Sequence, residues 1–444
     1  MRLFFIFNFF ILLNFNFFNF AFADNLPFKI NYFKTPEGLS VEFVHEDQQP
    51  ILIMELGFYA GSAYDGAQYG LAELVAKSIG QETSLKTGDQ LALDFDNSGA
   101  ELSANVDRDM AMLIMHTQTQ PDLLQAGVST LITAVTDLAS SDKVLEQVKQ
   151  NQIQRIEIGQ AHPLQIAEDA LMADLFAGTP YEHSVHGTAD SLNNINPNDI
   201  SNFYRQYYVD QNGVMVMVGD ISLAQAQEIA HGFSQALPEG QKAVPIAPNN
   251  FANMPAPLNT TIHIDYPSKQ AVIIMGQRAL SKTSPQNLAL LTASSILGGA
   301  SMGSVLYQKL KEQQFLADNT SADLNTWAGS GVLSLLAETS PQNMQAVESI
   351  MNQSIADLAQ NGPSQIDLEQ AQNYLTGSFQ LSFSSDQELA DVLITLLAYG
   401  LPENYLDNRA QNLLLLTPSD ISGALAQLQQ NNNPWVTVTV GGEA

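Results

Sequence analysis

One order of landmarks occurs twice in this chain, and it constrains the fold more than any single motif. Residues 111–139 read as an apolar strand, Pro121, a helical pattern and the tetrapeptide Thr136-Asp137-Leu138-Ala139. Residues 331–359 read as an apolar strand, Pro341, a helical pattern and Ala356-Asp357-Leu358-Ala359. Leu145-Glu146-Gln147 returns as Leu368-Glu369-Gln370, and Pro197-Asn198-Asp199-Ile200-Ser201 returns as Pro418-Ser419-Asp420-Ile421-Ser422. The run 214–219 returns as 436–441, and all the offsets lie between 220 and 223 residues. Five correspondences in one order imply a duplicated domain, and the mixture of strands with helical patterns makes it α+β.

Pro238, Pro245, Pro248, Pro255 and Pro257 fall between the halves in a stretch with almost no periodicity, which predicts a semi-extended linker. Two such halves are expected to close like a clam around a chamber. The chain starts with Met1-Arg2 and an apolar run broken by Asn8, Asn14, Asn16 and Asn19, ending in Ala21-Phe22-Ala23. That pattern predicts a secretory signal peptide, with an uncleaved membrane anchor as the other reading. The expected organisation is a signal peptide over 1–23, an N-terminal half over 24–237, a linker over 238–258 and a C-terminal half over 259–444. Zero cysteines exclude disulfides, a thiol nucleophile and a thiolate zinc site, which for an exported chain suits a bacterial periplasm. A net charge of −29 repels nucleic acid and excludes it as a partner.

Within the first half, 51–58 reads as a central strand, followed by the turn Gly61-Ser62-Ala63-Tyr64-Asp65-Gly66 and the short helix 70–78. Leu71, Leu74, Val75 and Ser78 share one stripe of that helix, and Glu73 and Lys77 lie one turn apart on another. Their spacing predicts an i,i+4 ion pair.

An ordered set of segments resembles the pitrilysin/insulinase peptidases, in particular their bacterial, mitochondrial-processing-peptidase-like branch. It comprises Ala60-Gly61-Ser62-Ala63-Tyr64-Asp65 with Gly70-Leu71-Ala72, then Gly99-Ala100-Glu101-Leu102-Ser103-Ala104. It continues with Pro180-Tyr181 to Gly187-Thr188, Phe203-Tyr204-Arg205-Gln206-Tyr207-Tyr208 and Val218-Gly219-Asp220. In the second half it comprises Ile296-Leu297-Gly298-Gly299 and Leu310-Lys311-Glu312 before Leu316-Ala317. The resemblance implies two homologous halves of the pitrilysin-type fold, together forming half of a clamshell. It also implies an inverted zinc motif, His-x-x-Glu-His, on the helix at 70–78, with a distal Glu near Gln154. Those positions read Glu73, Ala76 and Lys77, and the nearest distal carboxylate is Glu157. A charged ammonium does not ligate zinc and a methyl group takes no proton from water, so the implied metal site and base are erased. The Arg and Tyr that support the oxyanion in active members fall at Gln314 and Asp318. The resemblance places substrate along the strand 102–106 by backbone pairing, which nominates Leu102, Ser103, Ala104 and Asn105 as peptide-binding residues.

Other sets of chemical groups are weaker. His183-x-x-His186 is a close histidine pair in a loop, readable as a metal site or as ordinary loop hydrogen bonding. Ser62 lacks a Gly-x-Ser-x-Gly setting, and Gly298-Gly299-Ala300-Ser301-Met302-Gly303 lacks the lysine of a phosphate loop. Met215 and Met217 alternate as strand packing residues. The expectation is a non-catalytic subunit without a cofactor of its own, pairing with a zinc-bearing homologue to form a peptide-degrading chamber. The alternatives are a periplasmic peptide-binding or scaffold homodimer, and an active metallopeptidase with unorthodox ligands drawn from Glu73, Glu157 and the His183/His186 loop.

Overall fold

The computed structural model describes residues 28–442 apart from 140, 249–253, 255, 300–302 and 431–432; the predicted signal peptide and part of the linker lie outside them. The first half runs β1 (Ile30–Lys34), β2 (Ser40–His45), β3 (Ile51–Phe58), α1 (Leu71–Ser78), α2 (Gly88–Ser98), β4 (Glu101–Val106) and β5 (Ala111–Gln118). It continues with α3 (Pro121–Thr136), α4 (Asp142–Gln160), α5 (Pro163–Leu175), α6 (Ala189–Asn194), α7 (Pro197–Tyr207), β6 (Gly213–Gly219) and α8 (Leu223–Ala236). The second half runs β7 (Thr261–Ala279), α9 (Asn287–Gly298), β8 (Ala317–Thr326), β9 (Gly331–Thr339), α10 (Met344–Asn361) and α11 (Gln365–Leu381). It ends with α12 (Asp386–Tyr399), α13 (Tyr405–Leu414), α14 (Pro418–Leu428) and β10 (Val436–Gly442). Among the described residues no helix is long and apolar enough to cross a membrane.

The duplication read from the sequence is present in the sheets. The first sheet has the order β1-β2-β6-β3-β5-β4, with β2 parallel and β3 antiparallel to β6. In the second sheet β7 does the work of two strands. Val438, Thr439 and Val440 align with Ile262, His263 and Ile264 in one direction, and with Ile274, Ile273 and Val272 in the other. β10 thus sits between the two ends of β7 as β6 sits between β2 and β3, and β9 and β8 follow as β5 and β4 do.

The halves are not two shells joined by a linker. α5 leaves its own half and packs Ala167, Leu171 and Leu175 against Val272, Ile274 and Val440 of the second sheet. Its counterpart α12 packs Leu389, Ala390, Leu393 and Ile394 against Val44, Ile53, Val214, Val216 and Val218 of the first. This exchange explains why β6, and β3 apart from Glu55, read as apolar runs, since both of their faces are covered. It also overturns the expectation that the two halves close around a chamber, because opening them would strip an apolar face from each sheet.

A buried polar knot ties the halves where the turns of their hairpins meet. Asp109, in the β4–β5 turn and 3% exposed, accepts the Ala328 N–H of the β8–β9 turn at 2.6 Å. It also accepts the hydroxyls of Tyr181 at 2.8 Å and Tyr399 at 2.9 Å. The Arg108 guanidinium lies 5.3 Å from the Trp327 ring centroid and donates to the carbonyls of Tyr181 and His183, each at 2.7 Å.

Candidate functional site

The short helix α1 is set by its first turn. Asp65, 4% exposed, accepts the backbone N–H groups of Gly70 and Ala72, both at 2.7 Å, which satisfies donors that a helix start leaves open. Burial pushes its carboxyl up to about 8, against the pull of those N–H groups. Gly70 has φ +89°, and a side chain there would meet the His186 carbonyl oxygen at 2.7 Å. Gly187, at φ +69°, presses in the same way on Tyr69. The loop 182–188 is therefore held flat against the start of α1, which brings His186 to Glu73 across 113 residues of sequence.

Glu73 is 4% exposed and has two partners. Its Oε2 lies 2.7 Å from His186 Nδ1, and its Oε1 lies 3.2 Å from Arg155 Nη2 on α4. The hydrogen bond to Glu73 raises the His186 pKa, against burial and the Arg155 charge. Lys77 does not make the predicted i,i+4 pair with Glu73. A carboxylate this deeply buried needs donors that converge on it, and α4 and the loop supply them. The longer Lys77 stem instead carries its ammonium to the Ala104 carbonyl on β4. Burial and the nearby Arg155 charge lower the Lys77 pKa, while Glu73 opposes that shift. Ala76 is fully buried in the first core and meets no solvent.

On α4 the distal position also differs from the expectation. Gln154 and Glu157 are exposed, whereas Gln152 and Arg155 face α1. Gln152 is fully buried and donates to the carbonyls of Gly70 at 3.2 Å and His186 at 2.9 Å. The family resemblance points to a carboxylate on α4, which leaves Arg155 unmarked in the sequence. Its position one turn beyond Gln152 on the same face was the available signal. Glu73 is thus held by Arg155 and His186, with Lys77 turned away to β4.

The His183/His186 pair separates. His183 stacks on Tyr69 with ring centroids 4.1 Å apart, its Nδ1 lies 3.0 Å from the Ser184 carbonyl, and burial lowers its pKa. His186 belongs to Glu73. Among the described residues no group of three or more His, Cys, Asp or Glu is placed to hold a metal ion.

β4 is the edge strand of its sheet. Leu102 and Ala104 lean toward α1 and the core, while Ser103 and Asn105 are exposed. Asp107 N–H donates to the Met110 carbonyl at 2.9 Å, and pairing alternates along the hairpin. By that alternation Leu102, Ala104 and Val106 turn their N–H and C=O groups to the open edge. One of those acceptors, the Ala104 carbonyl, is the one Lys77 occupies. The second half repeats the device: Ser294 Oγ on α9 lies 3.4 Å from the carbonyl of Ala322 on the edge strand β8.

Gln314 and Asp318 lie on the second half's edge and are exposed; no hydrogen bond or ion pair joins either to the Glu73 group. Asp318 Oδ2 accepts from Gln270 Nε2 at 3.2 Å, and its carbonyl accepts from Lys311 Nζ at 2.7 Å. Between them Phe315 has φ +52° and is 83% exposed, the one non-glycine residue with positive φ among those described.

A cavity of about 410 Å³ opens beside this group, lined by Arg155, His186, Glu182 and Asp169 among others. A second, of about 440 Å³, adjoins it, and both include Gly159 and Gln165.

Residues 41–189 match the sequence profile described as insulinase (peptidase family M16), and residues 194–375 match the profile of the peptidase M16 inactive domain. The "non-peptidase homolog YmxG" of Helicobacter pylori is 24% identical over 402 residues, spanning 87% of this chain and 90% of that one. The mitochondrial-processing peptidase subunit beta of Caenorhabditis elegans is 23% identical over 240 residues, 54% of this chain and 51% of that one. A crystal structure of a peptidase M16 inactive domain from Pseudomonas fluorescens superimposes with a TM-score of 0.87 at 25% identity, covering 94% of this chain and 99% of that one.

Proposed function

The chain belongs to the insulinase peptidases, family M16, and from that premise we propose that it is a non-catalytic subunit pairing with a zinc-bearing His-x-x-Glu-His homologue to complete a peptide-degrading chamber. The observation that carries this reading is the Glu73 group. Where an active member holds a dication between imidazoles, this chain holds a guanidinium and an imidazole on one buried carboxylate, and the Lys77 ammonium goes to the Ala104 carbonyl. Cations there repel a metal ion, and Ala76 offers no base. In this reading zinc resides in the partner alone, and the acidic mature chain works in the periplasm after its leader is removed.

The exchange of α5 and α12 supports a two-chain chamber. Halves that share their cores cannot part to admit a long substrate, so an enclosed chamber for one needs a second chain. A second reading, a peptide-binding homodimer, draws on the open edge of β4, where Leu102, Ser103, Ala104 and Asn105 would pair with an added strand.

The test is zinc content and peptide cleavage by the purified mature chain, alone and mixed with a His-x-x-Glu-His homologue from the same organism. The expected outcome is no zinc and no cleavage alone, with the homologue's activity rising on mixing. Stoichiometric zinc with chelator-sensitive cleavage by the chain alone would overturn the reading. A homologue indifferent to the chain, with the chain self-paired, favours the homodimer.

A further inference from the structure

The duplication places two helices in the same position of the two halves, where they can be compared. α4 and α11 both start from a serine cap, Ser141 and Ser364, and Leu145-Glu146-Gln147 of one answers Leu368-Glu369-Gln370 of the other. Their buried faces agree: Leu145, Val148 and Gln152 on α4 answer Leu368, Ala371 and Leu375 on α11. Their exposed faces do not. On α11 the exposed residues Ile366, Gln370, Tyr374, Gly377 and Leu381 fall three or four apart and so share one stripe of the helix. Ile366 and Leu381 are each 67% exposed and Tyr374 is 38% exposed. The same places on α4 hold Lys143, Gln147, Asn151, Gln154 and Ile158, all exposed. The fold therefore asks for no apolar stripe here, since α4 fills every place but the last with a polar side chain.

Two further features of α11 bear on what covers the stripe. Gly377 lies inside the helix, where glycine is disfavoured, and a side chain there would meet no atom of the described residues within 4 Å. Packing within the chain does not call for it, whereas a bare backbone lets a second helix come close. The other feature is charge. Residues 370–385 carry none, in a chain of net charge −29 in which 14% of residues are charged. A two-fold interface sets each surface patch against its own copy, so two such acidic chains meet at least cost where charge is sparse. A basic partner would instead be met by an acidic face. We propose that α11 pairs with α11 of a second copy of this chain, antiparallel across a two-fold axis at Gly377. Tyr374 of each copy then packs beside Leu381 of the other, an aromatic and an aliphatic anchor at the centre of the contact. This surface is neither the Glu73 group nor the edge of β4, so the inference stands apart from pairing with a zinc-bearing homologue.

Sedimentation velocity of the mature chain over a wide concentration range tests it. The chain should pass from monomer to dimer as concentration rises, and added salt should favour the dimer by screening the net charge. Y374K and L381K should each weaken self-association by about tenfold or more, whereas I158K, at the equivalent place on α4, should leave it unchanged. G377L should weaken the dimer without lowering the melting temperature, because its side chain meets open space in the monomer and suits a helix better than glycine. The chain has no cysteine, so a single one reports its own neighbour: under mild oxidation G377C should give a disulfide-linked dimer and Q154C should not. A chain that stays monomeric, a dimer indifferent to Y374K and G377L, or equal cross-linking of G377C and Q154C would overturn the proposal. The zinc-bearing homologue is added in a parallel series. A response of the homologue with no dimer keeps the pairing and loses this inference, and a dimer sensitive to Y374K beside an indifferent homologue does the reverse.

Discussion

Glu73 has partners that lie 82 and 113 residues away in sequence, and its energetics follow from them. Removing Arg155 leaves a carboxylate at 4% exposure with only the imidazole to balance it. Because the guanidinium is itself nearly half exposed, R155M should cost about 1–2 kcal/mol, less than a fully buried pair would. The pH dependence has a definite sign. The pKa of His186 is raised on folding, so its contribution is complete below the ordinary histidine value of about 6.5 and is lost as pH rises through the raised value. Urea midpoints measured between pH 5 and 9 should fall across that window in the wild type, and H186Q should flatten the fall. Only part of this was legible in the sequence. The loss of the ligands was plain from Glu73, Ala76 and Lys77, because metal chemistry restricts which residues serve. The replacement partners were not, because a helix wheel reports neighbours at i+4 and is silent about a loop folded back by Gly70 and Gly187.

For the elements, the contact of α12 with the first sheet carries a titration of its own. Glu55 on β3 is 1% exposed and receives Gln387 Nε2 of α12 at 2.5 Å; burial, with Asp391 adding to it, pushes its carboxyl up to about 9. Burial likewise takes Glu42 on β2 up to about 8, with Glu403 contributing. Carboxyls raised on folding leave stability intact below their unfolded values and erode it as pH climbs toward the folded ones. The α12 contact should therefore be firmest in mild acid. E55Q should stabilise the protein by roughly 1–3 kcal/mol at pH 8 and leave it nearly unchanged at pH 4, read from denaturant midpoints at the two values. Strand and helix positions were legible here, since the apolar runs at 51–58 and 214–219 announce central strands. The identity of their cover was not. α5 and α12 have ordinary helical patterns, and amphipathy states that a face must be buried without stating on which sheet. The repeat, read alone, assigned each helix to its own half.

The molecule as a whole depends on Asp109, a single carboxylate that gathers donors from both halves. D109A would leave the Ala328 N–H and two tyrosine hydroxyls without their acceptor in a buried site. The expected cost is about 3–5 kcal/mol. Differential scanning calorimetry should still show one transition for wild type and variant alike, because α5 and α12 couple the two sheets independently of that knot. Two resolved transitions would contradict the shared core. The exchange of those helices also has a consequence for the stretch that joins α8 to β7. The halves clasp each other through buried surface, so a peptide bond broken in that stretch would leave two fragments still interlocked and unable to drift apart without unfolding. Joining the halves in one chain keeps each within reach of the other during folding. By the same interlocking, a deletion confined to one copy of the duplicated sequence would uncover the core of the other.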